Sequence, residues 1–450
     1  MIPLYMPDAV VGADVDRRRL VLPGSKEWDL PSIRAGLLFA APFTKSTAPV
    51  HSAAGTTGLS TETVSALGTR ARETDDYIVQ AIANQARFTK YGMVSEVARE
   101  NILVRSNELG TGWTNTHEVL TQNGVDPAGV ANSAWTITDS ASDVSGATYK
   151  GITVPDDALT RVMSVYIEKQ VSADACAVVR FRYSGGTGAP SAVYLNAQTG
   201  AIGVANGETP TAYGVIDEGT RWRLWTAMAN NESGNTTLYA EIRAAGSTVG
   251  SPATFAAAAV GSKIVSFFQV EVGSAPSTYI PTAASSVVRA AEDLDIAGGN
   301  ASIAAGTLMT AVTLDGLHGV NQYICDIYVD ATNHISLYVD TAGKPALLVD
   351  AGGEQALLTA TSALTVGTTA VITAAWAAND VRLYVNGADE QADTSATMPS
   401  GSPTVFIGQD GGNATQLMGS LQRLCIWNRA PSAAEIAFVY HRDYQRWKVA

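Results

Sequence analysis

The chain has 450 residues, of which 46% are hydrophobic and only 16% charged, with 41 glycines. At about three times the usual domain size, this predicts two or three domains, each able to bury a core without disulfides or metals. Against 42 Asp and Glu, 29 Lys and Arg leave a net charge of −13, which lacks the basic footprint that sequence-independent nucleic-acid binding needs, so nucleic acid and anionic membrane surfaces are poor partners.

Residues 1–20 carry Pro3, Pro7, Asp8, Asp14 and Asp16 where a signal peptide needs an unbroken apolar stretch, so no export signal is expected. The longest apolar run, 35–43, is interrupted by Pro42 and is about half the roughly 18 residues that span a bilayer, which predicts no membrane insertion. Residues 1–100 form the first predicted region. Its short apolar pieces are broken by Pro23, Pro31, Pro42 and Pro49, with a small-polar stretch at 46–61, the pattern of extended structure ordered by docking. Two windows in it are predicted helical: 60–67, which opens with Ser, Thr and Glu, and 75–88, where Ile78, Ile82 and Ala86 fall four apart.

From about residue 101, short alternating apolar stretches between Gly, Asn, Asp and Pro turns predict an antiparallel β-sandwich over 101–297. In 161–169, Met163, Val165 and Ile167 share one face and Val162, Ser164, Tyr166 and Glu168 the other; the uniformly apolar set is assigned to the core. Further strands are predicted at 175–183, 191–196, 221–228, 236–243 and 264–272, with turns such as Ser184-Gly185-Gly186 between them. The stretch 279–296 ends this block, and Gly298-Gly299-Asn300 reads as a linker. A second sandwich is predicted over 298–450, with strands at 323–329, 335–339, 381–385, 404–407 and 421–427 and an Asn386-Gly387 turn after the third. Ser432 and Glu435 then stand at capping-box spacing behind Pro431, which predicts a short terminal helix burying Ile436, Val439 and Tyr440. The fold class is mainly β: two antiparallel β-sandwiches, the first jelly-roll-like, after an extended N-terminal region.

Residues 85–88 read Gln-Ala-Arg-Phe, 93–109 read Met-Val-Ser-Glu-Val-Ala-Arg-Glu-Asn-Ile-Leu-Val-Arg-Ser-Asn-Glu-Leu, and Trp113 follows. Far downstream, Ser277-Thr278-Tyr279-Ile280-Pro281-Thr282 leads to Val288-Arg289-Ala290-Ala291-Glu292, with Trp222-Arg223-Leu224-Trp225 in between. Over roughly residues 70–296 these stretches resemble a family of tailed-phage structural proteins that join an N-terminal attachment segment to a carbohydrate-binding-module-like sandwich; the chain leaves the family's pattern at Ser95 and Glu100. From about residue 303 the chain resembles a laminin-G or concanavalin-A-like lectin domain, through Val381-Arg382-Leu383-Tyr384-Val385-Asn386-Gly387, Ile407-Gly408-Gln409-Asp410-Gly411 and the run from Gly419 to Ser432. The resemblances imply a laminin-G-like second sandwich and a virion fibre or spike on the surface of a phage or phage-like particle. Such a protein would bind host surface polysaccharide, contact other virion proteins through residues 1–100 and assemble as a homotrimer. A non-binding decoration protein of the head or tail and a glycan-degrading tailspike enzyme are the alternatives.

The candidate chemistry favours binding over catalysis. His51, His117, His318, His334 and His441 form neither an i, i+4 pair nor an H-E-x-x-H arrangement, so zinc is not expected. Adjacent carboxylates at Asp75-Asp76, Asp156-Asp157 and Glu292-Asp293 point to opposite faces if on a strand, so no catalytic pair is assigned. Gly185-Gly186-Thr187-Gly188 precedes a strand, not a helix, and reads as a hairpin turn rather than a phosphate loop. Cys176, Cys325 and Cys425 show no C-x-x-C pairing and read as small buried hydrophobes. Four Asn-x-Ser/Thr triplets, at Asn231, Asn235, Asn300 and Asn413, read as polar turns. No cofactor is expected; calcium is the one ion to weigh, with Asp326, Asp330, Asp410 and Asn413 as oxygen donors in the lectin-like region. Sugars are held by aromatic faces with polar groups reading the hydroxyls, so Trp113 and Trp135, set among Gly, Thr, Asn and Ser, are the first candidates. Tyr183 and the Gln409, Asp410 and Asn413 loop follow, whereas Trp222, Trp225, Trp376 and Trp427 lie within apolar alternation and are assigned to cores.

Overall fold

In the strand Thr160–Glu168, Met163, Val165 and Ile167 turn inward as alternation predicts, and all three are fully buried. The computed structural model in which they do so describes residues 37–42, 51–52, 70–74, 77–81, 88–89, 92–144, 146–172, 175–188, 190–297, 301–412, 414–437 and 440. The strand belongs to an antiparallel sheet ordered Ala212–Asp217, Arg221–Ala229, Thr160–Glu168, Gly261–Val272, Ala134–Asp139 and Glu118–Gly124. Facing it is a second antiparallel sheet ordered Ile202–Val204, Pro190–Leu195, Ala175–Ser184, Thr237–Thr248, Ala147–Thr153 and Thr114–Thr116. Leu224, Val265 and Phe268 from the first sheet meet Val179, Phe181, Leu238 and Ile242 from the second in one apolar cluster, so this is a sandwich with its core between the sheets.

Val162, Ser164 and Tyr166, on the opposite face of Thr160–Glu168, are buried as well. The chain returns across that face after Val272: Tyr279 stacks on Phe267 with ring centroids 4.1 Å apart, and Tyr166 meets Phe267 edge-on.

The two stretches that carry the phage-protein resemblance come together at this place. Arg99–Asn101 pairs with Val287–Arg289, and Asn101 accepts hydrogen bonds from Leu103 N and Val270 N while its amide donates to Ile280 O at 2.8 Å. Ser106 and Thr282 exchange hydrogen bonds, and the Ser106 hydroxyl also meets the Tyr279 hydroxyl at 2.5 Å. The fully buried Arg289 pairs with Glu96 at 2.6 Å and donates to Val97 O and Thr278 Oγ1. Glu96 in turn accepts from the Thr278 N–H and hydroxyl. These contacts form a clasp across which the chain enters and leaves the first sandwich.

The second sandwich follows the same logic. One sheet runs Asp295–Ala297, Thr404–Ile407, Gln322–Asp330, Asn333–Val339, Pro345–Ala351 and Glu354–Thr359. The other contains Gly419–Trp427, Gly306–Leu314, Ala370–Ala377, Asp380–Val385 and Ala388–Asp393 in that order. Ile324, Ile335, Leu347, Leu308, Ile372 and Leu424 share its core. The Asn386-Gly387 turn has φ of 52° and 78°, the left-handed pair a two-residue hairpin with right-twisted strands requires. Residues 433–437 and 440 are helical. The expected cap is present, with Glu435 N donating to Ser432 Oγ and Ser432 N to Glu435 Oε2. Ile436 packs on Ala375 and Tyr384, and Tyr440 is buried; Val439 lies outside the described residues.

Part of the N-terminal region pairs with this second sandwich. Leu37–Pro42 runs antiparallel along residues 423–427, and Gly92–Ser95 along residues 419–421 of the same strand. The helix expected over 75–88 is not formed where it is described: Tyr77–Ala81 is a strand paired with Arg70–Thr74. Tyr77, Ile78 and Val79 are aromatic or β-branched and suit a pleated strand better than a helix interior, and that preference outweighs the four-residue spacing. The window 60–67 lies outside the described residues. Cys176, Cys325 and Cys425 are buried and outside any disulfide.

Candidate functional site

Cys325, Ile327, Ile335, Leu337, Leu347 and Val349 face the second core, which leaves the alternate residues of three neighbouring strands on the outside of their sheet. Register sets Phe406, Asp326, Ser336 and Leu348 in one row and Tyr328, His334 and Asp350 in the next, while Tyr323 stands opposite Tyr338. Tyr323 and Tyr338 stack with centroids 5.2 Å apart, and Tyr328 meets His334 and Phe406 edge-on at 5.8 and 6.0 Å. Tyr323, Tyr328, His334 and Phe406 are half-buried, so their rings are partly open to solvent.

At the centre of this face lies Asp326, which is buried. Its Oδ1 accepts the Ser336 hydroxyl at 2.8 Å and lies 3.3 Å from His334 Nδ1; its Oδ2 accepts Gly411 N at 2.9 Å. The hydrogen bond to Asp326 raises the His334 pKa above the ordinary histidine value against the opposing effect of burial. Burial, with Asp326 nearby, pushes Tyr323 up to about 12. Ser336 Oγ and Asp326 Oδ1 both approach the same histidine nitrogen, at 2.8 and 3.3 Å. His334 Nε2 in turn lies 3.9 Å from Asp350 Oδ2, but Ser336 is fully buried and its hydroxyl donates to Asp326, so this cluster does not present a serine nucleophile to solvent.

Of the residues singled out from sequence, Gln409 and Asp410 belong to the loop bordering this face, the loop that delivers Gly411 N to Asp326. Gln409 is fully buried and its amide donates to Asp293 Oδ1 and Leu294 O. Asp410 accepts Ala414 N and Thr415 N. Asn413 lies outside the described residues. Trp113, Trp135 and Tyr183 are in the first sandwich, remote in sequence from this face. Trp113 is half-buried against Phe268, centroids 4.9 Å apart, and its indole N–H donates to Arg105 O. Trp135 is half-buried at the core edge and donates to Asn107 O at 3.0 Å. Tyr183 is buried, donating to Met228 O. Trp376 and Trp427 are buried as expected; Trp222 and Trp225 are half-buried.

Of the calcium candidates, Asp326 is engaged as above and Asp330 accepts the Thr332 N–H in an exposed turn. Among the described residues no group of three or more His, Cys, Asp and Glu side chains is placed to hold a metal ion. Sequence reasoning located the strands 323–329 and 335–339 but did not read their outward positions. That second step, taking every other residue, would have found Tyr328, Asp326, Ser336 and Tyr338.

Residues 304–437 match the concanavalin A-like lectin/glucanases superfamily. Among curated proteins nothing matches the chain. Solved structures with local similarity include the IT-sialidase CBM40 of Ruminococcus gnavus bound to α2,3-sialyllactose, at 15% identity over 31% of this chain and 84% of that one, TM-score 0.28. Domain 4 of AbnA, a GH43 extracellular arabinanase from Geobacillus stearothermophilus, in complex with arabinotriose, gives 14% identity over 33% and 73%, TM-score 0.29. A heptameric SAP-like pentraxin from Limulus polyphemus gives 17% over 31% and 70%, TM-score 0.25. The match of residues 304–437 makes the C-terminal sandwich a lectin-like domain within a nearly all-β chain.

Proposed function

We propose that the chain binds glycans through the outer face of its lectin-like sandwich, as a fibre or spike component by which a tailed-phage or phage-like particle adsorbs to host cell-surface polysaccharide. The observation that carries the glycan reading is the row of half-buried rings, Tyr323, Tyr328 and Phe406, around the buried Asp326–Ser336–His334 group. Aromatic faces take the C–H side of a sugar ring, and fixed carboxylate, hydroxyl and imidazole groups read its hydroxyls. The match of residues 304–437 to a lectin superfamily supports this reading. Support for the particle role comes from the motifs at 85–113 and 277–292. In this reading residues 1–100 carry contacts to other virion proteins, and a homotrimer multiplies weak sites by copy number.

The test is binding of the full chain to a glycan array and to cells, beside a Tyr323→Ala, Tyr328→Ala double variant whose fold is checked by circular dichroism. Saturable binding by the wild type, reduced at least ~10-fold in the folded variant, supports the reading; two lost aromatic contacts of about 1 kcal/mol each give that factor. Binding unchanged in the variant removes this face as the site. No binding by wild type, even when presented multivalently, favours a decoration protein, a reading to which the packing of Trp113 and Trp135 on the core edge also belongs.

A further inference from the structure

The first sandwich carries an outer face of different chemistry. In Ala175–Ser184, Ala177, Val179, Phe181 and Tyr183 point to the core, so Val178, Arg180, Arg182 and Ser184 point outward. Register brings Arg182 opposite Tyr239, Arg180 opposite Glu241, and Val178 opposite Arg243; Tyr149 stands on the far side of Glu241. Arg180 pairs with Glu208 at 2.7 Å and Arg243 with Glu241 at 2.6 Å. In both pairs the carboxylate is the deeper partner, with 5% and 4% of its side chain exposed against 23% and 15% for the guanidinium. Arg182 differs from both. It lies over the Tyr239 ring, 4.3 Å from the centroid, and its Nε is buried with no hydrogen-bond partner. Tyr149 and Tyr239 meet edge-on beside it at 5.9 Å.

Three arginines against two glutamates leave this face one positive charge, 3 − 2 = +1, in a chain of net charge −13. A half-buried guanidinium already oriented by an aromatic ring, with donors unused by described residues, is built to take a carboxylate in a forked pair, with the adjoining tyrosine available to the attached sugar ring. We propose that this face binds carboxylate-bearing saccharides, with Arg182 as the carboxylate anchor and Tyr149 as the ring platform. The inference rests on the glycan-binding reading for its ligand class but uses a separate set of residues.

The probe is an oligogalacturonate, compared with the same oligosaccharide as its methyl ester, which keeps the ring and removes the charge. Titration calorimetry with the full chain is expected to show the acid bound at least ~10-fold more tightly than the ester, as a charge-assisted forked pair requires. Arg182→Gln is expected to abolish that preference, while Tyr323→Ala, Tyr328→Ala keeps it. Equal affinity for acid and ester, no binding of either, or a preference that survives Arg182→Gln overturns the inference. If Arg182→Gln fails to fold, the acid and ester comparison on the wild type still decides. Dextran sulfate competing as well as oligogalacturonate also overturns it, by reducing the face to a general anion site. Loss of array binding in Tyr323→Ala, Tyr328→Ala without any preference for the acid leaves the first reading standing and this one refuted; the reverse pattern does the opposite.

Discussion

The clasp of the first sandwich and the outer face of the lectin-like sheet are both built from polar and aromatic side chains, and they differ in what those groups are spent on. In the clasp, Asn101, Ser106, Glu96, Arg289 and Thr282 bond to one another, to Thr278 and to backbone groups both near and, as with Asn101 to Ile280 O, 179 residues away in sequence. On the face, Tyr323, Tyr328, His334 and Phe406 remain half-buried, while Asp326, Ser336 and Tyr338 are buried. Residues whose partners are all internal need fixed identities at fixed positions and therefore read as motifs. Residues proposed to meet a ligand need only an outward position on a strand, and leave no contiguous signature.

Removing Arg289 is the strongest way to break the comparison. Arg289→Ala leaves Glu96 buried without its ion pair, a loss that typically costs about 3–5 kcal/mol. We expect a shift of that size in urea unfolding, with glycan binding by the lectin-like face retained wherever the variant is folded. A cost under about 1 kcal/mol would show that the clasp is a bystander to stability.

A second buried carboxylate tests whether enclosure by itself stabilises. Glu118 accepts Thr148 Oγ1 and Ala244 N, yet burial, with Asp139 opposite, raises its pKa to about 7. Folding therefore favours the protonated form, so its contribution is intact below the unfolded value near 4.5 and is lost as pH rises through about 7. Glu118→Gln keeps the shape without the charge. It should stabilise the protein by about 3 kcal/mol or less at pH 8 and change little at pH 4; an equal effect at both pH values would exclude the charge as the cause.

How much was legible follows from the same contrast. The strand 404–407 and the Asn386-Gly387 turn formed where expected, because their signals are local. Gly306–Leu314 was not read from sequence: all nine of its residues are buried, so no polar face marks its period. Ala370–Ala377 is similar: all but Ala377 are buried, with Ile436 of the terminal helix packed on Ala375. For the face, Tyr328 and Phe406 meet only through strand register across 77 intervening positions, which a single sequence does not encode locally. Trp113 and Trp135 stand out in composition; both are half-buried, and their indole N–H groups bond to Arg105 O and Asn107 O.

The terminal helix supplies a smaller, motif-type closure. Ser432→Ala removes the hydroxyl that accepts Glu435 N and should cost about 1 kcal/mol, as N-cap losses generally do, against several for Arg289→Ala. A cost equal to that of Arg289→Ala would mean that the helix matters as much to the second sandwich as the clasp does to the first.

Clasp and face also differ in the sign of their pH dependence. His318 lies at the junction of the two sandwiches, with Arg99 Nη2 3.5 Å from its Nδ1. Burial first, and Arg99 next, lower its pKa to about 4, against the pull of Glu96 in the other direction. Folding there favours neutral imidazole, so the junction loses stability as pH falls from about 6.5, the unfolded value, toward 4. His334 behaves oppositely: the hydrogen bond to Asp326 raises its pKa, so its stabilisation is complete below the unfolded value and is lost as pH rises through the folded one. His318→Gln should flatten the acid limb of the stability profile alone, and His334→Gln the neutral limb alone, as followed by urea midpoints from pH 4 to 8. If either substitution flattened both limbs, the clasp and the face would be one coupled unit, and their separation into a structural and a ligand-facing region would fail.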